Sequence, residues 1–197
     1  MQRDATTALE TGDTELATHV IGRDDEADRL FGVIDRHFQR ALSDLREVDR
    51  LELDRSALFG YYTTARNLER VADHTEKVAT ITTRVEAVPD AVLDAIVAFA
   101  HRSQGAVEAA TSVLLASRDV DTAYEALTAR DELAAELEPF DRRLYRDDIP
   151  DAYLLGLVLD SVKRTTEHGG NIAEVAIQQV SKETTEGTET RAETPQR

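Results

Sequence analysis

The chain has 197 residues, enough for one ordinary domain or two small ones, and 41% of them are hydrophobic, so a buried core is expected. Its 39 acidic residues outnumber 23 lysines and arginines and give a formal net charge of −16, which argues against direct binding to nucleic acid or anionic lipid, because both are polyanions. Cysteine is absent, which excludes disulfides, thiolate metal sites and iron–sulfur clusters.

Helical composition runs through most of the chain, because glycine (9 residues) and proline (4 residues) are scarce and no strand-like alternation occurs. Apolar residues instead recur at steps of three and four, which predicts an all-α fold. Five long helices are expected, at about residues 14–47, 56–82, 90–117, 119–145 and 151–182. Residues 183–197 are rich in glutamate and threonine and are predicted to form a disordered acidic tail.

The second and fifth predicted helices resemble each other. When residues 65–79 are shifted by 94 positions they lie on residues 159–173, and the aligned pairs include Arg70 with Arg164, Asp73 with Glu167 and His74 with His168. A repeat of this length indicates two helical bundles of similar build. Each is small for an independent domain, so we expect them to pack together.

Two acidic pairs with a spacing of four residues are candidate metal ligands. Asp24 and Asp28 lie on the first predicted helix, and Glu69 and Asp73 lie on the second. This spacing puts both carboxylates of a pair on one helix face, and iron, zinc, manganese or magnesium favours several converging oxygens. The alternative is an ordinary solvated surface whose charge is neutralised by nearby arginines, namely Arg23, Arg29, Arg66 and Arg70.

Other polar positions in the repeated helices also have two interpretations. His74 and His168 are either ligands or pH sensors, or they are structural, which is the commoner case for a single helical histidine. Gly169 and Gly170 cost about 1 kcal/mol each relative to alanine inside a helix, so they indicate a close helix contact or a local kink. We expect Asn171 to donate a hydrogen bond across that contact.

Several enzyme classes are excluded by missing motifs. The sequence contains no HExxH, GxxxxGK[ST], GxGxxG or GxSxG pattern. No histidine follows a glutamate by three residues, so the Glu-x-x-His ligands of a ferritin-like di-iron oxidase are missing as well.

The surface composition suggests where the protein works. Lysine occurs only at Lys77, Lys163 and Lys182, and an acidic, lysine-poor surface is typical of a salt-rich cytoplasm, although a GC-rich genome would also favour arginine. No apolar stretch reaches the ~20 residues of a membrane span, and the first residues lack the pattern of a signal peptide. The sequence therefore predicts a cytoplasmic protein from a halophilic source.

Three segments resemble the PhoU family of phosphate-signalling proteins. Residues 68–74 (LERVADH) are similar to its LERIADHA signature, and residues 171–174 (NIAE) are similar to the NIAE that continues this signature in the second repeat. Residues 23–30 (RDDEADRL) look like the motif of the preceding helix. The resemblance covers about residues 12–182 and is strongest to the haloarchaeal branch, which agrees with the composition.

The resemblance implies two three-helix bundles in tandem, over residues 1–87 and 88–182. Only five helices are predicted here against six in the family, and residues 1–10 look like the end of a first helix that is mostly missing. An AbrB-type DNA-binding domain often precedes this helix in haloarchaeal relatives. An incomplete first bundle should expose an apolar groove, which a second copy of the chain would fill to form a homodimer, along Leu16, Val20, Phe31 and Phe38.

The resemblance also implies a site, because the E/DxxxD motifs of PhoU proteins bind iron or zinc. The first repeat keeps Glu69 and Asp73, so with Asp24 and Asp28 it is the expected iron or zinc site. The second repeat has Lys163 in place of the acid before Glu167, and an ammonium group there would repel a cation. The fourth predicted helix also carries acidic residues, but they do not align clearly with the E/DxxxD motif: Asp131, Glu132, Glu138 and Asp141.

By resemblance, the protein is a non-enzymatic regulator of phosphate uptake. It would act by contact with the cytoplasmic ATPase of a phosphate-import transporter or with a sensor kinase. Two alternatives remain open at this stage. One is a metal-dependent hydrolase of a phosphorylated substrate that uses the same four carboxylates, and the other is a structural dimerisation bundle without a ligand.

Overall fold

The computed structural model describes residues 1–116 and 119–192, with side chains described except at Leu45 and residues 183–192. This part of the chain contains helices and no strand, so the all-α prediction is confirmed. The helices are α1 (Gln2–Thr11), α2 (Thr14–Ile21), α3 (Asp24–Ser43), α4 (Leu45–Leu51), α5 (Arg55–Thr82), α6 (Asp90–Leu115), α7 (Val120–Arg146) and α8 (Ala152–Ala192).

The prediction of five long helices is accurate for α5 to α7 and for the start of α8. Aspartate side chains mark two of the predicted starts, because Asp54 accepts a hydrogen bond from the backbone N–H of Ala57 and Asp119 accepts one from that of Asp121. The helical backbone of α8 continues to Ala192, through the first ten residues of the predicted disordered tail, 183–192. Residues 193–197 of that predicted tail lie outside the described residues.

The predicted first helix, residues 14–47, is wrong as a single element, because the chain breaks it twice. Gly22 ends α2, and three acidic residues then begin α3, where the positive end of the helix dipole stabilises carboxylates. Asp44 has an extended backbone (φ −132°, ψ 112°) and accepts a hydrogen bond from the N–H of Arg46, so it ends α3 and caps α4.

Residues before the predicted first helix form α1. Gly12 adopts a left-handed backbone (φ 67°) that ends α1, and the Asp13 carboxylate accepts hydrogen bonds from the N–H groups of Glu15 and Leu16 to start α2. The interpretation of residues 1–10 as a helical segment agrees with this arrangement.

The helices pack as two side-by-side groups, one of three helices and one of four. In one group α6, α7 and α8 contact one another pairwise, and in the other α5 receives α1 and α2 on its C-terminal half and α3 on its N-terminal half. The groups join through a long contact between α5 and α8, with α1 also packed on α6. Within the described residues, no helix is both long and apolar enough to cross a membrane.

The predicted apolar groove along Leu16, Val20, Phe31 and Phe38 is wrong in its first half. Val20 is fully buried and Leu16 is partly buried, because α1 lies against α2 and shares a small cluster with it. Phe31 and Phe38 are half-buried against the ring of Tyr62 on α5, at centroid distances of 5.9 and 4.0 Å.

Gly169 brings α8 close to α6. A Cβ atom built on Gly169 would lie 3.0 Å from Val107 Cγ2 and 3.3 Å from the Val107 backbone nitrogen. At Gly170 the nearest atom is the flexible Arg130 side chain. The prediction of a close helix contact is therefore confirmed, and Gly169 is the residue that contacts the facing helix backbone.

Candidate metal site between α3 and α5

Two helices bring the predicted carboxylates together. Asp24 and Asp28 lie on the first turns of α3, and Asp73 lies in the middle of α5, where α3 packs against it. One oxygen from each of these three side chains lies within 4.8 Å of one from each of the others. We call Asp24, Asp28 and Asp73 the carboxylate cluster.

Glu69 lies one turn before Asp73 on the same face of α5, with its side chain 14% exposed. Burial raises the pKa of Glu69, and the negative charges of Asp73 and Asp28 add to this effect against the opposing charge of Arg70. Glu69 therefore borders the carboxylate cluster and is coupled to it through charge.

Within the carboxylate cluster, Asp24 has the environment that least favours an ionised carboxylate. Burial raises its pKa first, and the neighbouring carboxylates Asp28, Asp73 and Glu76 raise it further. The Asp24 Oδ1 and Glu69 Oε2 atoms are buried and have no hydrogen-bond partner. Asp24 Oδ1 has no cationic partner and Glu69 Oε2 has only an ion pair of 3.5 Å with Arg70, so these buried oxygens leave negative charge that a cation would compensate.

Only one of the four arginines predicted to neutralise this surface makes an ion pair with it. Arg70 donates a hydrogen bond of 2.9 Å to Asp73 Oδ2 and lies 3.5 Å from Glu69 Oε2. Arg23 instead pairs with Asp4 on α1 at 3.2 Å, and Arg66 donates to the Tyr62 hydroxyl at 3.4 Å. For Arg29, no ion pair or hydrogen bond of its side chain occurs in the described part of the chain. The neutralised-surface alternative is thereby weakened.

The donor set fits a divalent cation. Carboxylate oxygens are hard ligands, and three that already converge match what iron, zinc, manganese or magnesium requires from oxygen donors. Glu76, whose charge raises the pKa of Asp24, was not predicted as part of this region. Its signal was its position seven residues after Glu69, two turns along the same face.

The second repeat lacks a comparable group. Glu167 accepts a hydrogen bond of 3.0 Å from Arg164, which also lies 3.8 Å from Asp160. Two acids of α7 are likewise paired with arginines, Asp131 with Arg130 at 2.9 Å and Glu138 with Arg142 at 3.3 Å. Among the residues whose side chains are described, the carboxylate cluster is the one group of three candidate ligands that converges.

The two repeated histidines meet in the contact between α5 and α8. The rings of His74 and His168 stack with centroids 5.8 Å apart. His168 Nδ1 lies 3.0 Å from Asn67 Oδ1, and Asn171 donates to the same oxygen at 3.1 Å. The hydrogen bond of Asn171 therefore crosses the contact with α5 and not, as predicted, the close contact that Gly169 makes with α6. These residues connect the two bundles.

His74 gives the fold a specific pH dependence. Burial, followed by the positive charges of Lys77 and His168, lowers the pKa of His74 from 6.5 to about 4. Between these values the unfolded chain binds a proton that the folded protein does not, so the free energy of unfolding falls as pH decreases.

We expect the free energy of unfolding of wild type to fall by about 1 kcal/mol more than that of His74→Gln between pH 7 and pH 5, after allowance for partial exposure. Urea unfolding at both pH values measures this, and equal losses would contradict it.

Comparison with known proteins gives a family match for part of the chain and a fold match for most of it. Residues 1–82 match the family model described as PhoU domain, and this segment contains the carboxylate cluster and Glu69. The crystal structure of PhoU from Pseudomonas aeruginosa superposes with a TM-score of 0.77 at 23% identity, over 91% of this chain and 88% of that one.

A second crystal structure, that of the phosphate transport system regulatory protein PhoU from Streptococcus pneumoniae, has a TM-score of 0.71 at 16% identity, over 89% of this chain and 84% of that one. No curated protein sequence matches the chain. At these identities the likeness establishes the PhoU helical-bundle fold.

Proposed function

We propose that this chain is a PhoU-type regulator of phosphate transport, acting without catalysis through contact with the cytoplasmic ATPase of a phosphate importer or with a sensor kinase. The observation that carries the proposal is the PhoU domain match over residues 1–82, which contains the only converging carboxylates among the described side chains. The same overall fold in a protein named as a regulator of a phosphate transport system supports it.

We further propose that Asp24, Asp28 and Asp73 hold a divalent cation, iron or zinc, with Glu69 beside them. When bound, the cation supplies positive charge that the single arginine at the cluster only partly provides. Because its ligands come from both helices, binding fixes the N-terminal end of α3 against α5. The metal would then set the rigidity of the surface that a partner contacts.

The hydrolase alternative requires a cationic side chain free to bind a phosphoryl group. Arg70 is the one arginine paired with the site, and it is already engaged by Asp73 and Glu69. Arg29, which follows Asp28 and makes no ion pair or hydrogen bond in the described part of the chain, is the remaining candidate for that role, so a phosphatase assay decides between regulation and hydrolysis. Metal-stimulated hydrolysis of p-nitrophenyl phosphate by wild type, lost in Asp73→Asn, would instead support the enzyme.

The homodimer stays a prediction, and its surface now differs from the predicted one because α1 covers Val20. Sedimentation at tens of micromolar tests it, and a strict monomer would contradict it. The third alternative, a structural bundle without a ligand, would give a dimer that is indifferent to metal.

The experiment that tests the proposed function is capture of partners from cells of the source organism grown with scarce and with ample phosphate. We expect the tagged chain to retain the transporter ATPase or a sensor kinase, in amounts that differ between the two conditions. Asp24→Asn with Asp73→Asn should reduce this retention, whereas Glu167→Gln in the second repeat should not. Retention of neither class of partner in either condition would contradict the proposal.

A further inference from the structure

A pocket of about 200 Å³ lies between the end of α1, the end of α5 and the start of α6. Its walls include the last turn of α1 and residues 85–88 of the link that joins α5 to α6. The pocket is therefore at the opposite end of α1 from Gln2. Its lining combines four apolar side chains with two glutamates, namely Leu9, Val85, Val88 and Leu93 with Glu10 and Glu86.

Most hydrogen-bond donors that line this pocket are already engaged. The hydroxyl groups of Thr11 and Thr82 donate to carbonyl oxygens one turn earlier in their own helices. Four backbone N–H groups also donate to other parts of the chain, those of Gly12, Val85, Glu86 and Leu93. Of the lining residues outside the helices, Ala87 and Val88 alone keep an N–H group without a hydrogen bond from the described residues.

The acceptors of the same pocket are free. The carbonyl oxygens of the last three residues of α1, Leu9, Glu10 and Thr11, accept no hydrogen bond within the described part of the chain. The carboxylates of Glu10 and Glu86 likewise have neither an ion pair nor a hydrogen bond there. Free acceptors thus outnumber free donors, and we call this site the acceptor pocket.

The acceptor pocket is also electronegative. The carboxylates of Glu10 and Glu86 line it, and the negative end of the α1 dipole lies beside them. Asp151 adds a third carboxylate nearby, because it accepts a hydrogen bond of 3.0 Å from the Glu86 N–H. Arg84 of the link is exposed, does not line the pocket and makes no ion pair with any described residue. The chain therefore places negative charge here without a cation of its own.

We propose that the acceptor pocket binds the cationic end of a lysine or arginine side chain presented by a partner protein. Ammonium and guanidinium groups carry donors and no acceptor, so they match a pocket whose acceptors are free and whose donors are mostly engaged. The aliphatic stem of either side chain packs on the four apolar residues of the lining. The inference rests on the proposed function only in that a contact regulator has a partner protein, and it adds an anchor for that contact.

Size and chemistry separate this occupant from three others. Small-molecule sites usually have a volume of ~300 Å³ or more, whereas about 200 Å³ suits a single side chain. A divalent cation needs several converging oxygens, and Glu10 and Glu86 belong to no converging set of three ligands among the described side chains. An anion is repelled by both glutamates.

The test follows the amide signal of Gly12, which lines the pocket, in the nuclear magnetic resonance spectrum of the full chain. n-Butylammonium should give a saturable shift of this signal in about 0.1 M salt, where charges still interact over ~10 Å. n-Butanol has the same stem without the charge and should bind about tenfold more weakly. Butyrate, which carries the opposite charge, should leave the signal unchanged.

Glu10→Gln with Glu86→Gln should weaken binding of n-butylammonium by about fivefold and leave binding of n-butanol unchanged, because only the charge is removed. The matched control is Glu125→Gln with Glu132→Gln, which removes two exposed acids of α7 that make no ion pair with the described residues. It changes the net charge equally and should keep the affinity for n-butylammonium within about twofold. Absence of a saturable shift with n-butylammonium, or equal weakening by both double variants, overturns the proposal.

A second pair of probes tests whether the cation comes from a protein. A blocked pentapeptide with a central lysine should shift the Gly12 signal, and the same peptide with norleucine should bind about fivefold more weakly. Binding of n-butylammonium without binding of the lysine peptide would assign the pocket to a free organic cation and overturn the assignment to a partner.

Partner capture separates this inference from the proposed function. Glu10→Gln with Glu86→Gln should retain less of the transporter ATPase or sensor kinase than wild type does, whereas Glu125→Gln with Glu132→Gln should retain as much. Full retention by the pocket variant would overturn the anchor and leave the proposed function standing.

Discussion

Gly169→Leu should lower the free energy of unfolding by about 2 kcal/mol. Its Cβ would lie 3.0 Å from Val107 Cγ2 and 3.3 Å from the Val107 nitrogen, so α8 must move away from the α6 backbone. Overpacking of this kind costs up to about 3 kcal/mol, and the better helix propensity of leucine returns about 0.8 kcal/mol. Urea unfolding followed by circular dichroism measures the difference.

Gly105 is the matched control, because it lies on α6 with no atom within 4 Å of a built Cβ. Gly105→Leu should raise the free energy of unfolding by up to about 0.8 kcal/mol through helix propensity alone. If Gly169→Leu is as stable as Gly105→Leu, the close contact between α6 and α8 does not hold the bundle together.

Iron or zinc should stabilise the wild-type protein by about 2.7 kcal/mol when free metal is 100-fold above its dissociation constant. The carboxylate cluster is assembled only in the folded protein, because Asp73 comes from a different helix than Asp24 and Asp28. Asp24→Asn with Asp73→Asn should abolish the gain. Melting curves with and without metal, at high salt to screen the acidic surface, measure it.

The same double variant should fold without metal, since Asp24→Asn removes a carboxylate whose pKa is raised by burial and by its acidic neighbours. We expect its apo stability to stay within about 1 kcal/mol of wild type, because the lost pair of Asp73 with the half-exposed Arg70 is worth little. Glu167→Gln should leave the metal gain intact. An equal gain in the double variant would show that the cation binds elsewhere.

The long helices could be predicted because their ends carry local signals. Asp54 and Asp119 cap α5 and α7, and Pro89 immediately precedes α6. The break at Gly22 was missed because apolar spacing continues across it, and a single glycine does not by itself stop a helix. The coverage of Val20 by α1 was missed for a different reason, since it depends on how residues 2–11 pack and not on spacing within one helix.

The candidate metal site could likewise be predicted from the sequence only in part. The spacing of four and the family resemblance were enough to select Asp24, Asp28, Glu69 and Asp73, but not to say which arginine would face them. Only Arg70 forms an ion pair with them, whereas Arg23 bonds to Asp4 on α1 and Arg66 acts on Glu69 through its charge alone. The stacking of His74 on His168 is likewise invisible in either helix alone.

The most direct measurement of the central claim is uptake of labelled phosphate by a strain that lacks the gene. With ample phosphate, we expect uptake in this strain to stay high and wild-type protein to reduce it. Asp24→Asn with Asp73→Asn should fail to reduce it although the protein is folded, whereas Glu167→Gln should succeed. Uptake that is the same with and without the gene would contradict a role in phosphate regulation, and full activity of the double variant would contradict a role for the carboxylate cluster.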